Sequence, residues 1–170
     1  MTEKTRAAPK SRKRRTRKPR GEVVFYVVEI ESWDWSFWFG VSNMPELDGP
    51  FDDYRHLNML GRMIRPAKYA GQQIRVSFLP NENLNPDRRE KLKPKAIGGI
   101  TTRKGDLSAV LSMPADVLPA LLTMAMADRL HYLTMDGEKP RYGQGELKSF
   151  RLDMTYDEDG LPDEEPGRKS

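Results

Sequence analysis

The stretch Val23-Val24-Phe25-Tyr26-Val27-Val28-Glu29-Ile30-Glu31-Ser32-Trp33-Asp34-Trp35-Ser36-Phe37-Trp38-Phe39-Gly40-Val41 decides how this chain folds. Its first eight residues are β-branched or aromatic almost throughout, as in a strand covered on both faces. Glu31-Ser32 reads as a turn. From Trp33 the odd positions Trp33, Trp35, Phe37, Phe39 and Val41 form a period-two stripe, the strongest strand signal in the chain. Five large apolar side chains on one pleat face are expected to meet a buried layer, because an exposed patch of that size invites aggregation. Trp38 falls on the other face with Asp34 and Ser36, and is the residue expected to reach a pocket or a partner.

Downstream, Asn43 to Asp53 is loop, and Tyr54 to Arg65 is a strand interrupted by Gly61 and closed by Pro66. Gln72 to Leu79 alternates Ile74, Val76 and Phe78 with polar residues, the pattern of a half-buried strand. Asn85-Pro86-Asp87 starts a helix that Pro94 stops after about two turns. Ala96 to Thr102 and Asp106 to Leu111 flank a hairpin turn at Arg103-Lys104-Gly105. Residues 116–127 carry Val117, Leu118, Leu121, Leu122, Met124 and Met126, a helix apolar enough to pack on a sheet or cap a barrel mouth. Arg129 to Met135 and Glu146 to Tyr156 resume strand alternation, the latter with Phe150, Leu152, Met154 and Tyr156 on one face. The expected fold is mainly β: an antiparallel sandwich or curled barrel of about eight strands with one main helix over 116–127.

Charge divides the chain into three. Residues 1–20 hold ten Lys or Arg against the single acid Glu3, a net of +9, whereas the whole chain carries only +4. Residues 1–21 are thus a disordered basic arm, 22–156 a single β-rich domain near neutrality, and 157–170 an acidic flexible tail. Arg12, Lys13, Arg14, Arg15, Arg17, Lys18 and Arg20 of the arm are the expected polyanion contacts, since each cation near a phosphate releases counterions. A second basic region, Arg88, Arg89, Arg103 and Lys104, is a candidate extension of that surface, or a solvated loop balanced by Asp87 and Glu90.

The remaining motifs assign no chemistry. The chain has no cysteine, which removes disulfides, thiolate metal sites and a cysteine nucleophile. His56 and His131 lack metal-ligand spacing, and the acids at Asp48, Asp52 and Asp53 and at Asp157 to Asp159 read as turn and tail chemistry. The glycines of Gly98 to Gly105 do not have phosphate-loop spacing. No catalytic residue, metal or cofactor is assigned, and an enzyme of an unrecognised β-fold ranks third, behind the two binding readings. The longest uncharged apolar run, Val117 to Ala127, falls short of the roughly 20 residues that span a bilayer. No membrane partner is expected, and the location is expected to be cytoplasmic, or nuclear in a eukaryote. The leading expectation is a non-enzymatic β-domain binding nucleic acid or a nucleoprotein complex through its arm. The alternative is a protein-interaction module, an adaptor or inhibitor, whose arm is a docking or localisation peptide.

Overall fold

The computed structural model describes residues 23–44, 46, 49–103, 105–158 and 160. Seven strands account for most of them: β1 (Val23–Val41), β2 (Phe51–Arg65), β3 (Gln73–Asn81), β4 (Gly98–Arg103), β5 (Asp106–Pro114), β6 (Tyr132–Glu138) and β7 (Gln144–Asp153). They pair in the ring β1-β2-β3-β5-β4-β7-β6, which closes as a barrel where β6 meets the first part of β1. All neighbours are antiparallel except β3 and β5, which run parallel because the β4–β5 hairpin is entered from the far side. The expected class, mainly β with one main helix, is what forms; the strand count is seven because the two segments on either side of Glu31 are one strand.

That fusion has a local cause. Val24, Tyr26, Val28 and Ile30, all even, face the core, whereas Trp33 and Trp35 sit opposite Met59 and Leu57, themselves core residues. An uninterrupted strand would turn the odd residues to the outside. The pairing register with β2 slips between Ile30 and Ser32, so Glu31 is the extra residue of a β-bulge. The bulge switches parity and keeps one face inward on both sides of it. Glu31 therefore continues the strand it was expected to end, and its carboxylate receives Arg62 Nη2 at 2.9 Å across the pair.

The core is filled by Tyr26, Val28, Leu57, Met59, Met63, Ile74, Val76, Phe78, Ile100, Leu111, Met113, Leu133, Met135 and Leu147, supplied by every strand. Phe78 and Phe150 meet edge to face with ring centroids 5.2 Å apart. In β7 a further bulge, at Lys148, lets Leu147 and Phe150 both turn inward despite their odd spacing. The helix α1 (Leu118–Met126) follows a 3-10 turn, Ala115–Val117, and places Leu118 in the core with Leu121 and Leu122 half-buried against it. Met124 and Met126 stay exposed, so the helix covers the barrel with one side only. The helix expected from Asn85 is not formed. The segment makes two 3-10 turns, Glu82–Leu84 and Arg89–Lys91, and Asn85 Oδ1 accepts from the Asp116 N–H at 3.2 Å, tethering the loop to the start of the helical region.

Candidate interaction surface

β1 and β2 outrun the barrel. β6 pairs with β1 only from Val23 to Glu29, and β3 pairs with β2 only from Leu57 to Arg62. Beyond those limits the two strands pair with each other alone, from Ser36 opposite His56 to Val41 opposite Phe51. The result is a two-stranded ribbon that leaves the barrel rim with no third strand beside it among the described residues.

The aromatic stripe lies on this ribbon and is not core. Trp35, at the rim opposite Leu57, is 37% exposed, and Phe37 and Phe39 further out are 56% and 60% exposed. The expectation of a buried layer fails because the layer ends. The stripe continues the barrel's inner face past the last strand that could cover it. Trp38, on the other face, is 53% exposed, as its alternation required. Phe39 stacks on Phe51 with centroids 5.5 Å apart, and Tyr54, opposite Trp38, lies 5.0 Å from the His56 ring. Both faces of the ribbon thus carry aromatic side chains in solvent.

Polar residues on the ribbon are largely tied to one another. Arg55 pairs with Asp53 on β2, opposite Phe37 and Phe39 of the stripe. On the other face Asn58 Nδ2 donates to Asp34 Oδ1 at 2.8 Å, and Ser77 Oγ donates to Asn58 Oδ1 at 2.7 Å, anchoring the ribbon's base to β3. His56 Nδ1 is buried without a hydrogen-bond partner among the described residues. Glu31 being paired with Arg62, the ribbon and its base carry Asp34, Asp52 and Asp53 against Arg55, a net of −2.

The basic candidates separate. Arg12, Lys13, Arg14, Arg15, Arg17, Lys18, Arg20 and Lys104 lie outside the described residues. Arg88 and Arg89 are exposed in the loop between β3 and β4, where Arg88 pairs with Glu82 at 3.2 Å. Arg103 is exposed at the end of β4 opposite Asp106, whereas the Arg88 loop is tethered near Pro114. The length of β5, about 27 Å, lies between them, so they do not form one patch. A shallow, open depression of about 340 Å³, lined by Gly99, Thr101, Glu138, Arg141, Gln144 and Glu146, lies on the β4–β7 side. No group of three or more His, Cys, Asp or Glu that could hold a metal exists among the described residues. Sequence reasoning found the ribbon's residues but gave the stripe the wrong surroundings; the signal available was the Pro45-to-Pro50 loop, which makes β1 and β2 a hairpin whose tip need not be covered.

The chain matches no protein-family model, no curated protein and no solved structure.

Proposed function

We propose that this protein is a binding domain with two separate contacts: the basic arm holds a polyanion, with nucleic acid the leading choice, and the aromatic ribbon grips protein. The observation that carries the reading is the ribbon, whose exposed Trp35, Phe37, Trp38 and Phe39 are of the residue types that anchor protein interfaces. Its acidic side chains would repel phosphates, so bases are not expected to stack on these rings. The nine net charges of residues 1–20 supply the electrostatic attraction the ribbon lacks. Joining the two contacts, the domain would recruit itself to a nucleoprotein assembly without chemistry of its own.

Fluorescence anisotropy with labelled duplex DNA and single-stranded RNA tests the assignment. Replacing Arg12, Lys13, Arg14 and Arg15 by Ser should weaken binding and flatten the salt dependence, by up to about 0.9 in log–log slope per lost duplex phosphate contact. Replacing Phe37 and Phe39 by Ser should leave binding by each chain unchanged. Equal binding by the arm variant and the parent at low and moderate salt removes the arm from the mechanism and leaves the ribbon-only adaptor.

A further inference from the structure

We propose that the ribbon's partner is a second copy of this chain, added edge to edge along β1 about a two-fold axis at Phe37. The proposal rests on the reading of the ribbon as a protein-binding surface and names its occupant.

The backbone hydrogen bonds define the edge. The Ser42 N–H donates to Pro50 O at 3.1 Å, so in the unshifted register the even residues of β1 exchange bonds with β2. Trp33, Trp35, Phe37, Phe39 and Val41 therefore direct N–H and C=O away from β2, to the side β6 occupied before its pairing ended at Glu29. A free, flat strand edge is a template for another strand, and proteins that must remain single blunt it with charge, proline or a bulge. The two edges of this ribbon differ in that respect. From Phe51 to His56 the β2 edge carries Asp52, Asp53 and Arg55, whereas from Trp33 to Val41 the β1 edge carries one charge, Asp34, and no proline. Only the β1 edge is left fit to pair.

Self-pairing is favoured by the order of residues along it. Antiparallel pairing centred on Phe37 sets Phe37 against Phe37, Trp35 against Phe39 and Trp33 against Val41. Each of these odd residues then donates one bond and accepts one, and every such pair is aromatic or aromatic with β-branched, the favourable cross-strand combination. Asp34 falls opposite Gly40, which has no side chain, so no like charges meet. A two-fold contact of this kind is isologous and closes at two copies, which stops the edge from propagating into fibres. The area is that of a small interface: the five β1 aromatics, Trp33, Trp35, Phe37, Trp38 and Phe39, about half exposed, offer roughly 500 Å², under the ~800 Å² per partner of a standard one, and the new backbone rungs add to it.

Sedimentation or light scattering tests the axis. The parent is expected at twice the chain mass of 19.6 kDa, and Phe37→Lys and Phe37→Glu each at the single mass, folded, with the thermal midpoint the parent shows when diluted to single chains. An equimolar mixture of the two variants should return to twice the mass, because only a two-fold at this position sets residue 37 against itself. A parent that stays single at high concentration, variants that remain dimeric, or a mixture that stays single each overturn the proposal. Acrylamide quenching separates that failure from failure of the ribbon reading. A single-chain parent with freely quenched tryptophans loses the second copy but keeps the docking surface, whereas one with shielded tryptophans loses both.

Discussion

The Trp38 indole lies directly over Gly40: a Cβ on Gly40 would stand 2.5 Å from the Trp38 ring, closer than any real contact. The glycine two residues along is what lets the ring lie flat along its own strand. Gly40→Ala should push the indole off the ribbon into water. In a background with Trp33 and Trp35 replaced by Phe, Trp38 emission should shift to the red and quench more readily, with stability changed by about 0.5 kcal/mol or less, the range of surface substitutions. An unaltered spectrum would mean the ring finds another site on the ribbon.

Leu57 and Phe39 sit on neighbouring strands of the ribbon hairpin with opposite fates, Leu57 wholly buried and Phe39 mostly exposed. Leu57→Ala should cost about 2–5 kcal/mol in denaturant unfolding, the range for a buried leucine. Phe39→Ala should cost about 0.5 kcal/mol or less at concentrations low enough to keep chains single. Comparable losses at the two positions would place a covering layer over the ribbon tip.

Gly61 is held by close approach of backbones. A Cβ there would be 2.3 Å from Glu29 O and 2.6 Å from a Val28 methyl, at the bulge where β1 changes parity. Neither neighbour is a flexible chain end, so Gly61→Ala must separate β1 from β2 and should cost about 1–3 kcal/mol, as overpacking does. Thermal unfolding of Gly61→Ala beside Gly71→Ala gives the comparison. Gly71 has nothing within 4 Å but a φ of +80°, so its cost is backbone strain alone.

Tyr26 gives a pH signature. Its hydroxyl donates to Glu138 O at 3.3 Å inside the barrel, and burial, with Tyr69 alongside as the smaller cause, pushes its pKa well above the ordinary value. A raised folded value means the unfolded chain loses its proton first. The contribution is whole below the unfolded tyrosine value near 10 and is lost as pH rises from there toward the folded value. Unfolding free energy should thus fall more steeply between about pH 9 and 11 in the parent than in Tyr26→Phe. Parallel curves would mean the hydroxyl is solvated in the folded state.

The strands were legible where alternation and turn residues agreed: Ile74, Val76 and Phe78 in β3, the β4–β5 hairpin, and α1 from its run of Leu and Met. What misled was the stripe from Trp33 to Val41, because periodicity reports that a face is apolar and says nothing of whether a layer covers it. That depends on where β3 ceases to pair with β2, at Phe78 opposite Leu57, and β6 with β1, at Tyr132 opposite Glu29, and those limits lie far along the chain. Glu31 misled for a related reason: a bulge residue and a turn residue carry the same local signal, and only the continuing register with β2 tells them apart. Asn85-Pro86-Asp87 has the residues of a helix start, but the Asn85 side chain is taken up by Asp116 instead.

β1 is one backbone from its rungs with β6 to the ribbon tip, and its first residue, Val23, stands three positions after Arg20, the last cation of the basic segment. A pull applied at the two ends of this strand would be carried by its own extended backbone, leaving the rungs to β6 from Val23 to Glu29 unloaded rather than peeling them one at a time. Were the arm and the ribbon held by different bodies, β1 would act as the tie between them, with the rest of the barrel as its clamp.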